Sequence, residues 1–179
     1  YSHPKRKTKV VFVQLGSPAE PTAKALRKYL RKFLGDPRVV DINPWLWKII
    51  LNFFVLPFRP KKSAKLYARI WDGKSFPLIT NTRDFTKNVS DELKKIDPKG
   101  FVEVNHAFLL SPPYVDEVYD SWEEDLKKGV GATKLLVIPM FPQYSESTIA
   151  SGIDALSKEL SKRVKIPTFE VITNFHRTH

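Results

Sequence analysis

Strands and helices alternate along most of this 179-residue chain, and this alternation constrains the fold more than any other feature. A nearly continuous apolar run from Lys9 to Leu15, ending at Gly16, predicts a strand buried on both faces. Because strands separated by helices pair in parallel, we predict an α/β fold, a flavodoxin-like four-stranded parallel sheet with helices on both faces. The later predicted elements are strands at 101–108, 134–140 and 169–173, and helices at 115–128 and 147–164.

The segment between the first two predicted strands is a helical insertion. Pro21 and Thr22 open its first helix, which has an apolar stripe opposite a row of Lys and Arg, and Gly35 ends it. The next predicted helix, Trp45 to Leu56, is apolar nearly all round. That pattern is typical of a core helix, a membrane-surface element or one wall of an apolar ligand cleft. Two further helices are predicted, at 61–71 and 80–96.

Length and composition indicate one soluble globular domain. We assign residues 1–8 to a disordered or tag-like basic leader and residues 9–179 to a single α/β domain. The sequence has no cysteine, which excludes disulfides, thiolate zinc sites and an iron–sulfur cluster held by this chain. The longest apolar run, Trp45 to Phe58, is too short to span a bilayer. We expect a cytoplasmic protein, with peripheral membrane contact through Trp45–Leu56 as an option.

The net charge of +11 is concentrated in the first half of the chain. Residues 1–95 carry 21 Lys and Arg against 7 Asp and Glu, whereas residues 96–179 carry 9 against 12. This asymmetry indicates either an anionic partner (nucleic acid, an acidic membrane or a carboxylate-bearing ligand) or a well-solvated surface. Because there is no nucleic-acid-binding motif and the aromatic residues have the pattern of buried ones, we expect no nucleic-acid partner.

Candidate ligand residues lie at the carboxyl ends of the predicted strands, where open α/β sheets bind ligands. The end at residues 141–145 is the most polar and leads into a helix that Ser145 or Ser147 would cap. Neither a GxGxxG fingerprint nor a Walker A sequence is present, so nucleotide binding has no support. Of the four histidines, His106 alone sits at a strand's carboxyl end, as a metal ligand, a base or a structural residue.

Four motifs, in order along the chain, resemble those of the ferrochelatase family. Val-Gln-Leu-Gly-Ser-Pro at 13–18 is similar to the family's opening Asn-Leu-Gly-Thr-Pro, and residues 27–40 match its first helix and exit. Residues 56–71 look like its basic insertion, and residues 139–148 resemble its Pro-Gln-Tyr-Ser-x-Ser-Thr signature. The resemblance implies the amino-terminal half of a two-domain chelatase, a lyase of haem biosynthesis that inserts ferrous iron into a porphyrin held between the domains.

The resemblance also implies which residues contact the porphyrin. Leu15 would lie under the macrocycle, and Arg59 would bind a propionate through a charge-assisted hydrogen bond. Phe141 and the Tyr144–Ser145 turn would line the floor of the cleft, and Phe76 and Leu109 would also line the pocket.

The family's catalytic histidine lies in a Ser-Ala-His motif with a later acidic partner, and neither motif occurs in this sequence. We therefore expect this half to hold no catalytic or metal-binding residue and no cofactor. The catalytic pair is expected beyond His179, in a carboxyl-terminal domain that would be the partner of this one.

Three of these positions depart from the family pattern. Phe76 stands where the family has a serine, Phe141 replaces a tyrosine, and Leu109 stands where an Arg-Tyr or Thr-Tyr pair is usual. Each change removes a hydroxyl or a charge from the implied pocket. These changes are explained by ordinary sequence drift or by a changed function. Two alternatives to the ferrochelatase half are therefore kept: a homologue that binds porphyrin or haem without metallating it, and a half-size homodimeric chelatase that relies on His106.

Overall fold

The computed structural model describes residues 7–129, 132–164 and 166–173. Within these ranges the chain forms four strands and six α-helices, with short π-helical or 3₁₀ turns next to three of the helices. In chain order they are β1 Thr8–Gln14, α1 Ala23–Leu34, α2 Pro44–Ile50, a π-helical turn Leu51–Val55, α3 Arg59–Tyr67, a 3₁₀ turn Ala68–Ile70, α4 Pro77–Ile96, β2 Val102–Phe108, α5 Val115–Lys127, β3 Lys134–Pro139, a π-helical turn Glu146–Ala150, α6 Ser151–Ser161 and β4 Thr168–Val171.

The predicted order of strands and helices is confirmed, with differences in the bounds or geometry of several elements. Helix α4 begins at Pro77, three residues earlier than predicted, because proline fits the first helical position without losing a hydrogen bond. The predicted helix at 45–56 changes to π-helical geometry from Leu51. Strand β4 ends at Val171, before the predicted end. The predicted leader overlaps β1 at Thr8, and its first six residues lie outside the described ranges.

The sheet has the strand order β2-β1-β3-β4, and all its pairs are parallel. Thr8 of β1 is in register with Val102 of β2 on one side and with Lys134 of β3 on the other. The chain therefore moves outward from β1 in both directions. The carboxyl ends of β1 and β3 form the switch point of the sheet, where open α/β folds bind their ligands.

Each face of the sheet is covered by helices. On one face, alternate residues of β1 and β3, such as Val11 and Val137, pack with Tyr119 and Trp122 of α5 and with Leu156 of α6. We call this cluster the sheet core. On the other face, the ring of Phe12 meets the ring of Phe85 of α4 edge-on at 5.0 Å.

The insertion has its own, smaller core. Tyr29, Leu30 and Leu34 of α1 pack against Leu51 and Leu56. The opposite side of the α2 region remains exposed, and we call it the insertion face: Trp45, Leu46, Ile49, Phe53, Phe54 and Phe58. Across the described ranges, no helix combines the length and apolar character needed to cross a membrane.

Candidate functional site

Backbone hydrogen bonds continue past the strand ends and hold the following segments side by side. The N–H of Leu109 donates to the carbonyl of Gln14 at 3.0 Å, and that of Leu110 donates to the carbonyl of Leu15 at 3.0 Å. On the other side of β1, the N–H of Met140 donates to the carbonyl of Val13 at 2.8 Å. Residues that follow three different strands therefore meet at one edge of the sheet.

Gly16 fixes the turn that follows β1. Its φ is +92°, in the left-handed region, and a Cβ at this position would collide with Oγ of Ser111. The carbonyl of Gly16 accepts a hydrogen bond from the Tyr29 hydroxyl at 3.4 Å, and the N–H of Ser17 donates to Ser111 Oγ at 3.3 Å. Only glycine fits this turn, which sets the position of Leu15.

Leu15 and Leu109 line one cleft of about 110 Å³ at the switch point. Their contact with porphyrin stays a prediction. We call it the Leu15 cleft. Its walls are mostly apolar, with two serines and one carboxylate among them, a composition common in sites for small organic ligands. The other lining residues are Phe33, Asp36, Val39, Leu110, Ser147, Ser151 and Ala155.

An ion pair joins two elements at the rim of this cleft. Arg38, in the loop after α1, donates two hydrogen bonds to the carboxylate of Asp154 in α6, from Nε to Oδ2 and from Nη2 to Oδ1 at 3.0 Å. The hydrogen bond from Arg38 lowers the pKa of the Asp154 carboxyl group below its ordinary value. The loop that carries Asp36 and Val39 is thereby tied to the helix that carries Ala155.

Ser145 and Ser147 act differently in the signature turn. Ser145 is the N-cap of the helical turn, and its carbonyl accepts N–H groups from Thr148, Ile149 and Ala150 at 3.0 to 3.4 Å. Its hydroxyl is hydrogen-bonded to that of Thr148 at 2.5 Å. Ser147, and not Ser145, lines the Leu15 cleft.

The structure does not bring the other predicted contacts into this cleft. Arg59 is the exposed first residue of α3, Tyr144 is exposed, and Phe141 is half-buried two residues after the end of β3. None of them is among the lining residues of the Leu15 cleft. Their contacts with porphyrin stay predictions.

Phe76 lies in the protein interior. Its side chain is only 2% exposed, and its ring meets those of Tyr67 and Trp71 at centroid distances of 5.5 and 4.7 Å. The aromatic ring at this position therefore contributes to packing of the insertion. It also borders a second pocket of about 340 Å³.

His106 lies away from the Leu15 cleft. It is half-buried on the edge strand β2, in a groove of about 570 Å³ that Arg83 of α4 also lines. Burial, and secondarily the positive charge of Arg83, lowers the pKa of its imidazole from the ordinary 6.5. Within the described part of the chain, no three His, Cys, Asp or Glu side chains are grouped so that they could hold a metal ion.

Sequence reasoning did not assign several cleft residues to the ligand site. Phe33 lies on the apolar stripe of α1, Val39 lies in the motif at 27–40, and Ser147 was predicted only as a helix cap, so a sequence signal was present for all three. Ala155 carried no such signal, because only the tertiary structure brings the α1 exit next to α6.

Comparison with known proteins identifies the family. The Ferrochelatase family model matches residues 7–179. A ferrochelatase of Idiomarina loihiensis is 42% identical over 167 residues, 93% of this chain and 44% of the relative. One of Teredinibacter turnerae is 39% identical over 178 residues, 98% of this chain and 47% of the relative. A coproporphyrin III ferrochelatase of Streptococcus mutans is 39% identical over 171 residues, 96% of this chain and 51% of the relative.

The chain thus spans about half the length of these curated relatives. The match begins just before β1 and extends over every described strand and helix. The chain belongs to the ferrochelatase family.

Proposed function

We propose that this chain is the amino-terminal half of a ferrochelatase, which inserts ferrous iron into a porphyrin in haem biosynthesis, and that it supplies the porphyrin-binding wall. The Leu15 cleft is the observation that carries the proposal, because it lies at the switch point of the sheet. Iron and porphyrin are the substrates in this proposal, and we assign no cofactor to this half.

The size and lining of the Leu15 cleft suit one side of a larger site. Complete ligand pockets usually measure roughly 300 to 1,000 Å³, whereas this cleft measures about 110 Å³. Leu15, Phe33 and Val39 offer an apolar surface for a flat macrocycle, and Ser147 offers a hydroxyl. A second domain would then cover the opposite face of the porphyrin.

The basic residues of α3 are suited to the carboxylates of a porphyrin. Arg59, Lys61, Lys62 and Lys65 are all exposed. We propose that Arg59 binds a propionate, since a guanidinium and a carboxylate form strong charge-assisted hydrogen bonds. We retain Phe141, Tyr144 and Ser145 as residues near the ligand, with Ser145 positioning the signature turn through its carbonyl.

The base that removes the pyrrole protons is proposed to lie outside these 179 residues. The sequence contains no Ser-Ala-His motif, and His106 is in a groove apart from the Leu15 cleft. The alternative of a half-size homodimeric chelatase relies on His106, so the distance of His106 from the Leu15 cleft gives that alternative little support. Phe76, which stands where the family has a serine, is buried and packs against Trp71. This packing favours ordinary sequence drift, and not a changed ligand, as the reason for the substitution.

We further propose that the protein works in the cytoplasm and contacts a membrane peripherally through the insertion face. Aromatic side chains such as Trp45 and Phe53 are exposed, and the ammonium group of Lys48 lies 5.9 Å from the ring centroid of Trp45. Exposed lysines of α3 follow in the chain, a combination suited to an anionic lipid surface. Vesicle co-sedimentation tests this, with binding expected for anionic vesicles and lost in Trp45→Ser/Phe53→Ser. Equal sedimentation of that variant would contradict the proposal.

Iron-dependent haem formation by the full-length protein tests the proposed reaction. We expect turnover by the wild type and a loss of kcat/KM of roughly tenfold or more in Leu15→Glu, because the new carboxylate would repel the propionates and lose its hydration in the cleft. The matched control is Ile96→Glu, at an exposed position at the end of α4. Porphyrin binding without turnover would contradict the enzyme and favour a carrier.

A further inference from the structure

We propose that the second pocket, which we call the lysine pocket, is a binding site for a flat organic dianion and is distinct from the Leu15 cleft. It lies between α1, the 71–76 loop and residues 110–114, and its volume is about 340 Å³. That volume lies within the range of small-molecule sites and suits a ligand of one or two rings more than a whole porphyrin. Leu110 is the one residue that lines both cavities.

The charge of this pocket is one-sided. Lys28, Lys32 and Lys74 line it, and its lining residues include no aspartate or glutamate. Within the described ranges, none of the three ammonium groups is ion-paired with a carboxylate. Three unpaired cations around one concave surface create a positive potential that attracts anions.

The lysines of α4 are arranged differently. Lys87, Lys94 and Lys95 each contact a carboxylate of the same helix at 2.6 to 3.2 Å. Such local pairing is an ordinary arrangement for exposed lysines on a helix. What distinguishes the lysine pocket is that its three lysines surround one concave, partly aromatic surface, and the α4 lysines offer a matched control.

Aromatic rings form the apolar part of the pocket. Phe76 and Tyr29 are buried, Trp71 is half-buried, and the ammonium group of Lys32 lies 4.1 Å from the ring centroid of Tyr114. Burial raises the pKa of the Tyr29 phenol, so the ring remains uncharged. The partly exposed rings of Trp71 and Tyr114 offer surfaces on which a flat ligand can stack, while the neighbouring cations hold its charged groups.

Serines add polar groups to the lining. Ser17 lines the pocket and is only 7% exposed. Its N–H donates to Oγ of Ser111, which also lines the pocket. A serine hydroxyl can donate a hydrogen bond to a carboxylate or phosphate oxygen of a ligand. The inference does not rest on the proposed porphyrin chemistry.

Calorimetric titration of the full-length protein tests the site with two probes, naphthalene-2,6-dicarboxylate and naphthyl phosphate. A neutral naphthalene dicarboxamide is the ligand control. We expect saturable binding of a dianion, with roughly tenfold weaker binding in Lys28→Ala/Lys32→Ala/Lys74→Ala, since three screened charge contacts together reach about that size. The control variant, Lys87→Ala/Lys94→Ala/Lys95→Ala, is expected to bind like the wild type. The tighter of the two probes indicates whether the natural ligand is a dicarboxylate or a phosphate.

Three outcomes would overturn the proposal. They are an absence of saturable binding by either dianion, equal weakening in the two triple variants, and one-for-one displacement of the dianion by porphyrin, which would place it in the Leu15 cleft. Ala25→Trp, which fills the pocket from α1, is expected to abolish dianion binding while leaving porphyrin binding intact. Haem formation is measured separately, so a failure of dianion binding in the lysine pocket is distinguishable from a failure of the proposed ferrochelatase reaction.

Discussion

The sheet core and the insertion are both rich in large apolar side chains, but they bury them to different extents. Trp122 in the sheet core is 3% exposed, and its Nε1 donates to the carbonyl of Ala132 at 2.7 Å. On α2, Trp47 is partly buried, and its Nε1 donates to the carbonyl of Leu34 at 2.6 Å. Trp45, two residues earlier, is 78% exposed.

The difference follows from the supply of packing partners. The sheet core lies between the sheet and two helices, so an inward-facing side chain is surrounded. Helix α2 packs on α1 along one side only, and the insertion face has no such cover within the described residues. A large exposed apolar patch of this kind marks an interaction surface. Apolar composition alone therefore does not distinguish the two regions. The packing partners decide whether a large apolar side chain is buried, as in the sheet core, or exposed, as on the insertion face.

The largest effect on stability is expected for Trp122→Ala. The substitution removes a buried indole and leaves the Ala132 carbonyl without its donor, so we expect unfolding to become easier by about 3 to 5 kcal/mol. Urea denaturation of the full-length protein measures this change. A loss below about 1 kcal/mol would show that the sheet core can relax around the cavity, against the rigid packing inferred here.

Trp47→Ala is expected to have an intermediate effect, about 2 kcal/mol, because the side chain is partly buried and its hydrogen bond to Leu34 joins α2 to α1. Trp45→Ala is its matched control on the same helix, and we expect a change within about 0.5 kcal/mol. Equal losses in the two variants would mean that the insertion face is covered in the full-length protein.

A smaller effect is expected from the pH dependence of His106. Its folded pKa is lower than the ordinary 6.5, so below that pH the unfolded state binds more protons. The free energy of unfolding should therefore fall as the pH drops through 6.5 and level off below the folded pKa. In His106→Gln this part of the decline should disappear, as measured by denaturation at several pH values. An identical pH profile in the variant would contradict a neutral, half-buried imidazole.

Much of the fold was predictable because it depends on local patterns. The apolar run in β1, the Thr22 and Gly35 caps of α1 and the alternating strands near the end of the chain all act through neighbours in sequence. Thr22, for example, accepts the N–H of Ala25 at 3.2 Å, as an N-cap does. The π-helical turn at Leu51 was not predictable, because no proline or glycine marks it.

The candidate site was predictable only in part. Leu15 and Leu109 share a cleft because backbone hydrogen bonds join the two strand ends, which follows from parallel pairing. The Arg38–Asp154 contact was not foreseeable, since the partners are 116 residues apart and the motif at 27–40 that contains Arg38 indicates no partner in α6. The inward position of Phe76 depends on the insertion's tertiary packing, which a single sequence does not reveal.

Porphyrin titration of a cleft-filling variant tests the central claim most directly. Ala155→Trp places an indole in the Leu15 cleft from α6, and Ser157→Trp places one at an exposed position on the same helix. We expect the Kd for porphyrin, followed by absorbance of the full-length protein, to rise roughly tenfold or more in Ala155→Trp and to stay unchanged in Ser157→Trp. Equal affinities in the two variants would contradict the assignment of the Leu15 cleft as the porphyrin wall.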